Sequence, residues 1–299
     1  MTQGQIRKAL SGFYYVYADG QTYQTRARGN FRNRNITPLV GDHVIFESSN
    51  MTDGYLLEVL PRENQLVRPA VANVNQGVVV MSSISPNYSA NLLDRFLVTL
   101  EYERINPIIY LTKIDLLDEV AYEEMKQVKR DYETIGYPVI LPKPDSNWES
   151  LREIERYFPE QLTVFMGQTG AGKSTLLNQI SPELALKTGE ISKSLGRGRH
   201  TTRHVELIPL VDGLVGDTPG FSAIDFLEMS AEELTGQMPE IARAAEGCKF
   251  RECKHRQEPH CEVKAQVESG EILASRYKHY LQFLEEIESR KPMYGKNKK

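Results

Sequence analysis

A parallel α/β domain set between a small all-β module and a helical, metal-binding module is the architecture that the 299 residues predict, on three observations. Residues 1–68 hold only short runs rich in Tyr, Val, Ile and Thr, punctuated by Gly, Asp and Asn. Residues 69–222 alternate continuous apolar runs with amphipathic stretches, the pattern of a parallel sheet with helical crossovers. Residues 223–299 turn polar and helical and contain all the cysteines of the chain.

Taken in order, GFYYVYA (12–18), QTYQTRARG (21–29), DHVIFESS (42–49) and GYLLEVL (54–60) read as strands too short to stand without closure. A small barrel follows, OB-like in the first instance, with an SH3-like arrangement as the alternative. NQGVVVMSSI (75–84) is a continuous apolar run, as a strand covered on both faces would be. LLDRFLVTLEYERI (92–105) has helical spacing, and NPIIYLTKID (106–115) is a second buried strand. A charged helix over 118–136, a strand at YPVIL (137–141), a short helix and the strand LTVFMG (162–167) complete the alternation. The last stretch, 265–291, is helical with a break near Gly270.

With 40% hydrophobic and 25% charged residues and a net charge of −4, the composition is that of an ordinary soluble protein. No run approaches the roughly 18 apolar residues of a membrane helix. The N-terminus lacks the apolar core of a signal peptide, so the cytoplasm is the expected compartment. Basic residues are nonetheless clustered. Between Gly20 and Gly41 stand Arg26, Arg28, Arg32 and Arg34 with no acidic residue, and the C-terminal RKPMYGKNKK is also basic.

Gly167, Gln168, Thr169, Gly170, Ala171, Gly172, Lys173 and Ser174 satisfy G-x-x-x-x-G-K-[ST], between an apolar strand and the helical STLLNQI that begins Ser174-Thr175. Glycines let the backbone turn its N–H groups onto phosphates, and the helix N-terminus adds positive partial charge. Lys173 is placed to reach the β- and γ-phosphates, and the Ser174 hydroxyl to ligate Mg²⁺. A chance Gly-rich turn would not supply the flanking strand and helix as well. GLVGDTPGF adds a D-x-x-G, Asp217 to Gly220, at the end of an apolar strand. There an aspartate holds Mg²⁺ and a glycine N–H senses the γ-phosphate.

Thr112-Lys113-Ile114-Asp115 ends the apolar strand of 106–115 in the form that reads guanine. Asp115 would accept from guanine N1–H and the 2-amino group, and the Lys113 stem would pack along the base. Taken alone, a strand ending in solvated Lys and Asp is the plainer account. It yields because two other elements of a GTPase are present and no N-K-x-D or T-K-x-D follows Gly220. The base-reading strand then precedes the phosphate loop, which makes the chain a circularly permuted GTPase. Its Mg²⁺- and γ-phosphate-sensing end runs straight into the C-terminal module.

Many GTPases place Gln after D-x-x-G to orient the attacking water; here the residue is Phe221. The segment LGRGRHTTRHVEL (195–207) offers substitutes. Thr201 or Thr202 could cap Mg²⁺ and the γ-phosphate, His200 or His204 could orient water, and Arg197, Arg199 or Arg203 could offset transition-state charge. As solvated loop charges or RNA contacts these basic residues are equally well explained.

Cys248, Cys253, His255 and Cys261 supply three thiolates and one imidazole at knuckle spacing, which suits a closed, structural tetrahedral zinc site. Scattered thiols would not fall within one short segment. Lys249, Arg251, Lys254 and Arg256 between the ligands suit a surface facing nucleic acid.

The order TKID, GQTGAGKS, GRGRHTTRH, DTPG and C-x₄-C-x-H-x₅-C, behind an N-terminal barrel, closely resembles the RsgA family, bacterial permuted GTPases that depend on the small ribosomal subunit. The match spans essentially the whole chain. The resemblance implies an OB-fold, a permuted GTPase domain and a zinc-binding helical domain. It further implies action late in 30S maturation on 16S rRNA, with GTP hydrolysis stimulated by the subunit and His200 as the catalytic histidine. Nothing points to an obligate dimer. Two features depart from the family pattern: Thr112 stands where Asn is frequent, and LPKPDSN (141–147) replaces a Ser-Ser or Ser-Ala base-contacting loop. Two other classes compete, an RNA-binding scaffold that only senses GTP and a metabolic kinase. The first is favoured by Phe221 and opposed by the intact Lys173, Ser174 and Asp217. The second leaves barrel and zinc module unexplained.

Overall fold

The computed structural model describes residues 1–29, 31, 36–67, 70–184, 205–217, 226 and 229–290. Its first strands are β1 (Thr2–Leu10), β2 (Phe13–Ala18), β3 (Gln21–Ala27), β4 (His43–Ser48) and β5 (Gly54–Val59). β1 pairs antiparallel with both β2 and β4, β3 with β2, and β5 with β4, while β3 and β5 run parallel. The five strands therefore close on themselves, and closure removes the exposed edges that strands this short would otherwise present. This is the five-stranded OB-type barrel. Ile6, Val16, Val44, Phe46 and Leu56 fill it, none more than 1% exposed. β1 is absent from the predicted strands because TQGQIRKAL barely alternates, with Ile6 its one fully buried side chain. Its register against β2 shifts between Ile6 and Lys8, leaving Arg7 as the bulged residue.

A small hairpin, β6 (Gln65–Val67) and β7 (Ala70–Ala72), leads into the α/β part. There follow β8 (Gln76–Ser82), helix α1 (Ala90–Tyr102), β9 (Asn106–Thr112), α2 (Glu119–Ile135), β10 (Val139–Ile140), α3 (Trp148–Glu155), β11 (Leu162–Met166), α4 (Lys173–Ile180), β12 (Glu206–Leu210) and β13 (Gly213–Asp217). The strands lie in the order β10-β9-β8-β11-β13-β12. All are parallel except β12. Every residue of β8 and β11 is buried, as a parallel sheet covered on both faces demands. β12 joins the sheet to the barrel at one residue pair, Lys8 opposite Glu206, whose side chains form a 2.7 Å ion pair. Both are about a third exposed, so the pair fixes register more than it stabilises, at most about 1 kcal/mol.

By packing, the chain divides into two units, Met1–Tyr88 with Glu103–Ala223, and Ser89–Tyr102 with Ile224–Lys299. The second is built from α1 with α5 (Ala231–Leu234), α6 (Pro239–Ala245), α7 (Glu262–Ser269) and α8 (Ala274–Ser289). Leu234, Met238, Ile241, Val263, Phe283 and Leu284 are its fully buried core. A capping box of Ser230 and Glu233 starts α5. Gly270, at φ 84°, ends α7 and makes the break expected there. Inside this unit Arg276, 1% exposed, donates to both Glu240 oxygens (2.7 and 3.1 Å) and to Asp94 (2.7 Å). No helix among the described residues is long and apolar enough to cross a membrane.

Candidate nucleotide site and metal centre

Leaving β11, the backbone enters the phosphate loop at Gly167 with φ 138°. A Cβ there would stand 2.2 Å from the Val80 carbonyl oxygen, so both the dihedral and the close approach require glycine. The Ala171 N–H closes the turn onto the Gln168 carbonyl at 3.1 Å, and Gly172 starts α4 from the left-handed region. Lys173 and Ser174 thus occupy the first turn of α4, 8% and 9% exposed. The Lys173 ammonium folds back to donate to the carbonyls of Gly167 (2.6 Å) and Gln168 (2.8 Å). Burial pulls its pKa down to about 8.

The TKID segment meets this loop directly. Thr112 at the end of β9 donates its hydroxyl to the Ala171 carbonyl, 2.6 Å away. Ser83 binds the Thr112 carbonyl through its N–H and hydroxyl. Lys113 takes a left-handed conformation, φ 60° and ψ 31°, and its ammonium donates to the Ser85 carbonyl. A lysine in that region is strained, and such outliers cluster at functional sites. The turn buries Ile114 and leaves Asp115 exposed.

A cleft of about 540 Å³ lies over these groups. Thr112 to Leu116 line one side, Pro142 to Asn147 the other, with Gly172, Thr175 and Leu176 between them. Pro142–Asn147 is the part the sequence left unassigned; its signal is position, directly after the strand that runs parallel beside β9. Asp217 ends β13, which runs parallel beside β11, so the three motifs share one end of the sheet. His200, Thr201, Thr202, His204, Gly220, Phe221 and the arginines at 197, 199 and 203 lie outside the described residues.

In the second unit the ligand atoms of Cys248, Cys253, His255 and Cys261 all lie within 4.8 Å of one another. Cys248 Sγ is 3.9 Å from Cys261 Sγ, and His255 Nδ1 is 3.6 and 3.4 Å from those sulfurs. Tetrahedral zinc with its usual bond lengths sets sulfurs about 3.8 Å apart and sulfur from nitrogen about 3.5 Å apart. Cys248, His255 and Cys261 therefore already stand at the separations one metal ion requires, and Cys253 lies within 4.8 Å of them as the fourth donor. Desolvation keeps His255 in its neutral, ligating form. The same desolvation and the neighbouring sulfurs raise the Cys253 and Cys261 thiols, the penalty that a dication removes.

A parallel sheet that carries a G-x-x-x-x-G-K-S loop, a TKID tetrapeptide and a D-x-x-G aspartate at one end, in this chain order, defines a circularly permuted P-loop GTPase. The chain belongs to the RsgA GTPase family, matching that family over residues 59–227 and the RsgA N-terminal domain over 3–56. The small ribosomal subunit biogenesis GTPase RsgA of Enterococcus faecalis is 71% identical over 98% of both chains. That of Latilactobacillus sakei is 54% identical over the whole of both. Among solved structures, YloQ, described as a circularly permuted GTPase, superposes with a TM-score of 0.84 at 45% identity, covering 98% of this chain and 97% of its own. YjeQ from Thermotoga maritima gives 0.85 at 30% identity, covering 97% and 99%.

Proposed function

We propose that this GTP hydrolase acts in late maturation of the small (30S) ribosomal subunit, docked on its 16S rRNA in the GTP form and released on hydrolysis. The observation that carries the reading is the cleft joining TKID to the phosphate loop in a chain whose relatives over 98% of its length are named for small-subunit biogenesis. Asp115 has no hydrogen-bond or ion-pair partner among the described residues, which leaves its carboxylate to accept from guanine N1–H and the 2-amino group. Lys113 lays its stem along the base, and the backbone of 142–147 closes the far side.

The N–H groups of Gly167 to Thr175 surround the phosphates, and Lys173 exchanges its two carbonyls for phosphate oxygens. Ser174 and Asp217 hold Mg²⁺, which when bound offsets charge on the β- and γ-phosphates. Thr201 or Thr202, with the Gly220 N–H, senses the γ-phosphate. His200 orients the attacking water, a task Phe221 cannot perform. Zinc on Cys248, Cys253, His255 and Cys261 is structural, since four protein ligands leave no open position. The protein works as a cytoplasmic monomer, cycling between GTP and GDP.

The test is hydrolysis of GTP and of ATP, with and without purified 30S subunits, for the wild type and His200→Ala. A large, GTP-selective stimulation by 30S is expected, lost in the variant while GTP binding persists. Equal stimulation of both proteins would remove His200 from the mechanism. No stimulation of either would leave the chain as an RNA-binding scaffold for which GTP is a sensed ligand.

A further inference from the structure

At the opposite end of the sheet from the phosphate loop, a second cavity of about 630 Å³ opens between the barrel and the starts of β11 and β13. Its size is that of a small-ligand site. The bulge in β1 aims Arg7 into it. The Arg7 guanidinium lies 3.4 Å over the centre of the Tyr17 ring, and both residues line the space. No carboxylate pairs with Arg7 among the described residues, and its Nε is buried with no hydrogen-bond partner. A buried donor left open in this way calls for an acceptor from outside the chain.

The rest of the lining selects the ligand. Glu63, Glu160 and Asp212 face the same space, so carboxylates outnumber the single guanidinium and a phosphate group is disfavoured. Gln161 adds an amide with both donor and acceptor. A flat π-surface ringed by acceptors and an amide suits a planar heterocycle carrying amino and carbonyl groups.

We infer that this cavity binds one unpaired nucleobase of an RNA strand, stacked on the Arg7–Tyr17 pair with its edge read by Glu63, Glu160, Gln161 or Asp212. Single-stranded RNA is recognised by such stacking on arginine and aromatic planes with hydrogen bonds to base edges. The inference rests on the proposed docking to rRNA and names a point of that contact. It places one base at the junction where Lys8 and Glu206 join barrel to sheet.

Binding of fluorescently labelled single-stranded RNA heptamers to the full chain tests it, with Arg7→Ala and Arg7→Lys beside the wild type. Loss of one stacked base is expected to weaken binding roughly tenfold in Arg7→Ala. Arg7→Lys is expected to be nearly as weak, because lysine keeps the charge and loses the plane. The slope of affinity against salt is expected to stay unchanged, since no phosphate contact is removed. On the wild type alone, heptamers carrying 4-thiouridine or 6-thioguanosine are expected to photocrosslink to peptides containing Tyr17 or Gln161, a result that does not depend on the folding of any variant.

Full binding by Arg7→Lys with a smaller salt slope in Arg7→Ala would mean a phosphate contact and overturn the nucleobase. Competition by guanosine or adenosine monophosphate at the heptamer's own affinity would mean a free nucleotide and overturn RNA as the source. Equal affinity in all three proteins, or crosslinks confined to other peptides, overturns the site itself. Stimulation of GTP hydrolysis by 30S subunits, measured on the same preparations, keeps failure here distinct from failure of the proposed function.

Discussion

The Thr112 hydroxyl donates to the Ala171 carbonyl across 2.6 Å and so ties the end of β9, where TKID begins, to the glycine-rich loop between β11 and α4. Gly172 beside it is required by its φ of 97° and not by space, since a Cβ there would meet the Thr112 side chain at 3.6 Å, an ordinary contact. An asparagine here, with its longer side chain, could make the same bond; the shorter threonine already does so. Thr112→Val keeps the shape and leaves the Ala171 carbonyl unpaired, at a cost of about 1–1.5 kcal/mol. Affinity for GTP and GDP is expected to fall together, roughly five- to tenfold, with Thr112→Asn close to the wild type. Calorimetric titration measures both, and an unchanged affinity in Thr112→Val would show that the two subsites act independently.

The parts that were legible in the sequence are those where local chemistry leaves one solution. Gly167 to Ser174 can fold in few other ways between a strand and a helix, and the apolar run at 76–82 had to be a strand buried on both faces. β1 was not legible, because its pairing with β2, β4 and β12 is set by distant partners while its own residues scarcely alternate. β12 was hidden behind the basic run that precedes it and by Pro209, which has no N–H to donate to a ladder. Pro142–Asn147 lacked the Ser-Ser or Ser-Ala pair by which a base-contacting loop is assigned, since its place beside TKID comes from the parallel order of β9 and β10 and from no residue of its own. The ion cluster around Arg276 joins positions 94, 240 and 276, a separation at which no local pattern can reveal pairing.

Removing the metal tests the ligand cluster. Cys261 is 5% exposed and belongs to the apolar core of its unit, directly before α7. The binding free energy of structural zinc in small finger peptides, on the order of 10 kcal/mol, matches the whole stability of an ordinary domain. Elemental analysis is expected to find one zinc per chain, lost in Cys261→Ser. Chelation is expected to bring a thermal transition of this unit to lower temperature while the GTP-binding unit keeps its own. A metal-free chain that melts as the native one does would show that the cluster packs without an ion.

Arg276 offers a test of the same unit that involves no metal. It is held by Glu240 and Asp94, themselves 7% and 0% exposed, and Asp94 also bonds His279. Arg276→Met strands the buried Glu240 carboxylate and leaves Asp94 to His279, and removing one partner of a buried pair costs about 3–5 kcal/mol. Chemical denaturation of the full chain is expected to show a loss of that size in the second unit. Arg276→Lys recovers only part of it, because a single ammonium cannot bond both Glu240 oxygens and Asp94 in the fork geometry. A loss under about 1 kcal/mol in Arg276→Met would mean that water reaches the cluster, and the burial argument would fall.

Lys173 makes nucleotide affinity depend on pH, and the sign follows from its surroundings. Without nucleotide, burial holds the ammonium at about 8, so the free chain loses this proton as pH rises through that value. Phosphates beside it favour the charged form, so the pKa in the complex is higher than in the free chain. Below about pH 7 both states hold the proton and this group contributes no pH dependence. Above about 8 the complex binds more protons than the free chain, so binding takes up protons and affinity falls with rising pH, by up to about tenfold per unit. Titration calorimetry in two buffers of different ionisation heat measures the uptake directly. It is expected to be near zero at about pH 7 and to approach roughly three quarters of a proton at about pH 8.5. Lys173→Met should abolish the uptake while lowering affinity at every pH. An affinity that stays level across that range in the wild type would mean that the buried ammonium keeps its proton against the Gly167 and Gln168 carbonyls without help from phosphate.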